Sequence, residues 1–210
     1  MKLFSQSFAD GSPIAGEFAF AVIDPKHHVA LSNNRNPHLA WSDVPEGIQS
    51  FAVLCVDPDV PSQGDDVNQA GKSVPAELPR VDFFHWTVID LPAHTREIAA
   101  ASHSHSVSTR GKAGPRGPGD ASWRHGLNDY TGWFANDHDM NGDYYGYDGP
   151  CPPWNDALIH RYVFTVYALD VPVLDIKGPI TGQAALAAMQ GHVLAQASWT
   201  GTYTLNPALS

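Results

Sequence analysis

Phe51-Ala52-Val53-Leu54-Cys55-Val56-Asp57-Pro58-Asp59-Val60-Pro61 decides how the chain folds. Six apolar residues in succession, Phe51 to Val56, show neither helical period nor strand alternation, and the run is strand-sized. It reads as a strand covered on both faces and stopped by the proline of Asp57-Pro58. Farther along, Val81 to Leu91 is rich in aromatic and β-branched residues up to Pro92. Arg161 to Leu169 repeats that composition up to a turn at Asp170 to Pro172, and Trp199 to Leu205 offers a fourth strand. The one helical stretch is Thr181 to Gln196, where Thr181 can cap and Ala185, Leu186, Met189, Val193 and Leu194 recur at helical spacing, interrupted by Gly191. Strands without regular strand-helix alternation predict a mostly β fold built on a largely antiparallel sheet.

A chain of 210 residues can bury a large core and is near the upper end for one all-β domain, so residues 1–210 read as one domain. Within it, residues 101–156 turn rich in Gly, Pro, Ser, Asn and Asp and form a long loop insertion. Its aromatic residues Trp123, Trp133, Phe134, Tyr144, Tyr145 and Tyr147 predict that this loop is ordered and packs on the sheet. A net charge of -10 with only 12 Lys and Arg leaves little for counterion release, which argues against nucleic acid as a partner. Met1-Lys2-Leu3-Phe4 runs into polar Ser5, Gln6 and Ser7 without a signal-peptide core, and no apolar run approaches the roughly 20 residues of a transmembrane segment. A cytoplasmic location follows as the expectation, with Cys55 and Cys151 as reduced thiols. Nothing in the sequence calls for a cofactor.

The prolines after Asp57 and Asp59 stiffen an acidic turn at the end of the first strand. If the first and third strands are antiparallel, that turn meets the start of Ile159-His160-Arg161-Tyr162, which brings Asp57 to His160. His85 lies between Phe84 and Trp86, where burial without a partner costs about 1 to 3 kcal/mol. Asp57 is its expected acceptor, an arrangement that would favour the protonated ring and leave one N–H for an anion.

Four segments occur in order: Asp57-Pro58-Asp59-Val60-Pro61, Phe84-His85-Trp86, Gly146-Tyr147-Asp148-Gly149-Pro150-Cys151-Pro152-Pro153, and His160-Arg161-Tyr162. Together they resemble the phosphatidylethanolamine-binding, or Raf kinase inhibitor-like, proteins, in their bacterial branch, over roughly residues 15 to 205. The resemblance implies a β-sandwich with a large central antiparallel sheet, a small second sheet and one or two peripheral helices. It also implies a shallow pocket for phosphate, acetate or a phospholipid head group. Matched pocket positions are Asp57, Asp59, Pro61, His85, Pro152 or Pro153, His160 and Tyr162, with Arg161 bracing the acidic turn through Asp59. A kinase or protease as protein partner and a homodimer are further implications of the likeness alone.

Four other patterns are present. Cys151, His160 and Asp57 can be drawn as the triad of a hydrolase, against which stand the prolines around Cys151 and the lack of an oxyanion hole. Asp137, Asp139, Asn141, Asp143 and Asp148 follow calcium-loop spacing, with Gly142 at the turn, but lack flanking helices. His103 and His105 suit a solvated loop rather than a metal cage, and Arg110, Lys112, Arg116 and Arg124 are expected to be solvated too.

Overall fold

The chain, described over residues 1–117 and 121–210 in a computed structural model, forms in order β1 (Lys2–Phe4), β2 (Ala21–Asp24), β3 (His28–Leu31), β4 (Leu39–Ser42), β5 (Ser50–Pro61), β6 (Arg80–Pro92), β7 (Glu97–Ile98), β8 (Arg124–His125), α1 (Tyr130–Trp133), β9 (His160–Leu169), α2 (Gly182–Ala188) and β10 (Val193–Tyr203). Among its described residues the long loop region holds only β8 and the single helical turn α1; residues 118–120, which fall inside it, lie outside the described part. Tyr144 and Tyr147 are fully buried, as an ordered loop requires, whereas Trp133 is 55% exposed.

The central sheet has the strand order β10-β9-β5-β6-β8, and every pair in it is antiparallel. A smaller sheet, β1-β4-β7, covers one face. Phe51, Val53 and Cys55 share that interface with Leu3, Leu39, Trp41, Trp86, Val88, Phe164 and Val166. Ala52 and Leu54 point the other way, into a second core with Phe84, Leu174, Ile180, Ala185 and Met189 under α2. The unbroken apolar run is thus explained by two covered faces. The mostly β, antiparallel sandwich is the expected architecture.

Two expectations need correction. Pro58 does not end β5, which continues to Pro61. Pairing with β9 stops at Val56↔Val163, while pairing with β6 runs on to Pro61↔Arg80 through a bulge between Asp57 and Val60, so the prolines sit where the strand has become an edge. The predicted helix 181–196 is shorter: Thr181 caps it by accepting from the Ala184 amide, α2 ends at Ala188, and Gly191 at φ +82° turns the chain into β10. Val193 and Leu194 therefore belong to an edge strand, 39% and 44% exposed. No helix among the described residues is long and apolar enough to cross a membrane.

Candidate ligand-binding site

The site forms where β5 and β9 part company. Beyond Val56 the two strands no longer pair, and the gap is spanned by side chains. Asp57 Oδ2 lies 2.8 Å from His160 Nδ1, the meeting anticipated from antiparallel geometry, and the Asp59 amide donates to the other Asp57 oxygen at 2.8 Å. His160 Nε2 contacts Asp156 Oδ2 at 3.1 Å, and Arg80 grips both oxygens of Asp156 at 2.6 and 3.0 Å. Burial by itself would lower the His160 pKa, but the hydrogen bonds and charges of Asp156 and Asp57 outweigh it and raise the pKa to about 9. The ring is therefore an imidazolium at neutral pH with both N–H groups committed. His160 lends no free donor to a ligand, contrary to expectation.

His85 reaches the same place by a bulge. Cys55 pairs with Trp86 and Val56 with Phe84, which leaves His85 as the extra residue of β6 and re-aims its side chain. Its acceptor is the backbone oxygen of Asp148, 2.7 Å from Nδ1, rather than the Asp57 carboxylate, which His160 occupies. The Asp148 amide returns a bond of 3.0 Å to the His85 carbonyl. Burial lowers the pKa of His85, opposed in part by the charge of Asp57 and the Asp148 carbonyl, so the expected protonated ring is corrected to a neutral one. Because a carbonyl only accepts, the proton sits on Nδ1 and Nε2 carries the lone pair. Phe83, Tyr130 and Tyr162 box the ring, with centroids at 4.8, 5.5 and 5.1 Å.

These residues line a cavity of about 250 Å³. Of the positions matched from sequence, Asp57, Pro61, His85, Pro152, Pro153, His160 and Tyr162 all border it, so both prolines contribute. Asp59 does not; its carboxylate accepts from Arg161 Nε at 2.8 Å, Nη2 at 2.7 Å and the Arg161 amide at 2.9 Å. Arg161 thus braces the acidic turn as expected, and although burial would raise the Asp59 pKa, these bonds hold it below the usual value. The sequence reading missed the apolar walls, Phe20, Val29, Leu31, Val60, Val67, Phe83, Tyr130, Trp133 and Phe134. It also missed Asp156, whose signal was its place four residues before His160. No lysine or arginine is among the lining residues. Tyr162 is fully buried, and its hydroxyl sits beside Asp57, whose charge and hydrogen bonding join burial in raising its pKa although the pair falls short of full hydrogen-bond geometry.

The competing patterns fare differently. Cys151 borders the cavity as a free thiol, but burial pushes its pKa up to about 12 and both nitrogens of His160 are taken, so the drawn triad has no base for the thiol. The calcium-spaced residues do not converge. Asp137 accepts from the amides of Asp139 and Met140, Asp139 meets His138, and buried Asp148 binds Asn34, Asn128 and Lys112 at 2.7, 2.8 and 3.0 Å. Among the described residues no three His, Cys, Asp or Glu side chains are grouped to hold a metal. Lys112 and Arg124 are not free solvated charges, since partly buried Lys112 pairs with Asp148 and Arg124 Nε is 2.5 Å from Asp90. His103 is half-buried, stacked on Trp123 and 3.0 Å from His125.

Comparison with known proteins bears on this geometry. A family model for phosphatidylethanolamine-binding protein matches residues 4–204. The chain belongs to the phosphatidylethanolamine-binding protein family. Its relatives include the UPF0098 protein of Aquifex aeolicus, 30% identical over 97% of this chain and 88% of the relative. The UPF0098 protein YbhB of Escherichia coli is also 30% identical, over 97% of this chain and all of the relative. Among solved structures, a phosphatidylethanolamine-binding protein homolog from Chlamydia trachomatis aligns with a TM-score of 0.61 at 28% identity, covering 96% of this chain and 95% of that one. YbcL of Escherichia coli aligns with a TM-score of 0.67 at 24% identity over 97% of each chain, a likeness of fold.

Proposed function

We propose that the cavity binds a small anion bearing an apolar substituent, such as a phosphate ester, a carboxylate or a phospholipid head group. The carrying observation is His85, whose Nδ1–H is committed to the Asp148 carbonyl and whose Nε2 has no partner among the described residues, on a cavity wall shared with Tyr162. Leaving such a nitrogen unpaired costs about 1 to 3 kcal/mol, which a hydrogen bond with a ligand oxygen would recover. The aromatic and aliphatic walls suit a substituent better than they suit a bare, strongly hydrated ion.

The tautomer of His85 adds a condition. With Nδ1–H committed to Asp148, Nε2 donates to an anion only after taking up a proton, or accepts a proton that the ligand already carries. Burial disfavours the protonated ring in the free protein, and an adjacent anion would offset that. Binding should therefore strengthen as pH falls from about 8 to 5. A protein partner, a kinase or a protease, would in this reading be engaged through a phosphorylated group.

Calorimetry with phenyl phosphate tests the reading. Wild type should bind, and His85→Gln should weaken binding by about tenfold or more, as expected for one charge-assisted hydrogen bond. Equal affinity in both proteins would remove His85 from the site.

A further inference from the structure

Two walls of the cavity are not parts of the central sheet. One is the segment between β5 and β6, which contributes Gly64, Val67 and Asn68; the other is the β2–β3 hairpin, which contributes Ala21, Val29 and Leu31. A loop or a two-stranded hairpin standing alone does not hold a wall in place. Both are tied to consecutive residues that follow the pocket prolines, Trp154 and Asn155, and neither of these borders the cavity.

Asn155 is 6% exposed, and its side chain is spent entirely on the loop. Nδ2 donates to the carbonyls of Asp66, Lys72 and Gln69 at 2.8, 3.2 and 3.3 Å, and Oδ1 accepts from the Asn68 amide at 2.9 Å. Main-chain bonds continue the seam: the Val74 amide donates to Asn155 O at 3.0 Å, and the Trp154 amide donates to Asn68 Oδ1 at 3.0 Å. Asn68, at the cavity edge, is held in the left-handed region at φ +57°. On its other flank the seam meets the hairpin, where the Trp154 ring stacks on His28 at 3.8 Å with 6° between planes. His28 opens β3 at φ +68°, directly before the wall residue Val29.

We propose that Trp154 and Asn155 are positioning residues for ligand specificity, fixing the two apolar walls and so deciding which substituents fit, without touching the anion. This rests on the reading of the cavity as an anion site with room for a substituent. The anionic head is met by His85, which stands on a sheet strand and does not depend on either wall. Loosening the walls should therefore separate the two halves of a ligand.

The test pairs a binding measurement with one that needs no ligand. In Asn155→Ala, amide exchange across residues 62–73 should accelerate about tenfold or more while β5 from Phe51 to Val56 stays protected. Affinity for phenyl phosphate should fall about tenfold, with affinity for inorganic phosphate unchanged within about twofold. Trp154→Ala should show the same selective loss with faster exchange in the hairpin, and Trp154→Phe, which keeps an aromatic face for His28, should restore both. If Asn155→Ala does not fold, the Trp154 pair carries the test. Unchanged exchange in the tethered wall, or equal weakening of both phosphates, overturns the proposal. Wild type that binds neither phosphate refutes the anion reading and with it the specificity role, whereas the exchange data still decide whether the seam holds the walls.

Discussion

His160 shows how much of this site is structural. Its imidazolium lies between Asp57 and Asp156, with all three side chains at most 1% exposed. Removing one member of a buried charge network leaves the others uncompensated and costs about 3 to 5 kcal/mol, so His160→Ala should lower stability by that amount in urea denaturation. The pH dependence has a definite sign. A folded pKa of about 9 lies above the unfolded value near 6.5, so the stabilisation is complete below pH 6.5 and is lost as pH rises through 9. Wild type should therefore lose roughly 3 kcal/mol between pH 6 and 10, and His160→Gln should lose much less over the same range. Parallel curves would show that the ring is not charged. The Asp57–His160 contact was legible because strand direction alone brings those residues together. The partner of His85 was not: it depends on a one-residue bulge, which alternation along a strand does not reveal.

At the level of elements, composition located β5, β6 and β9 well, because each is buried on both faces and shows it as apolar density. It misjudged the ends. Pro58 was compatible with strand because the β9 side of β5 is already open there, a fact about the neighbour rather than about the proline. The overlong helix has a local cause: Val193 and Leu194 keep helical spacing, but Gly191 adopts φ +82° and ends the possibility of continuing. Gly191→Ala should destabilise the protein by about 1 kcal/mol, since a Cβ is strained in that conformation. Gly132 supplies the control. Its backbone is not left-handed, and an added Cβ meets nothing within 4 Å, so Gly132→Ala should be neutral or slightly stabilising. Thermal melts of the two variants that moved together would count against the αL assignment.

Across the whole molecule, the long loop region carries a histidine pair through which the protein should respond to acid. His103 Nδ1 and His125 Nε2 are 3.0 Å apart, which is a hydrogen bond only while one ring donates and the other accepts. Burial lowers the pKa of His103 to about 4. For His125, burial first, then the charges of His103 and Lys112, lower it to about 3. Because both folded values lie below 6.5, the unfolded chain takes up protons first, so stability present above pH 6.5 is lost as pH falls toward 3. His85, depressed in the same direction by burial, adds to this acid limb. Solvent reaches half-buried His103, so the pair should account for roughly 2 to 4 kcal/mol of the loss. His103→Phe combined with His125→Phe replaces both partners by apolar rings that can keep the stacking around Trp123, and should flatten the decline between pH 6.5 and 4 in denaturation series. A decline as steep as that of wild type would place the acid sensitivity elsewhere, in the carboxylates of Asp59 and Asp156, whose pKa values hydrogen bonds from Arg161, His160 and Arg80 hold down against burial.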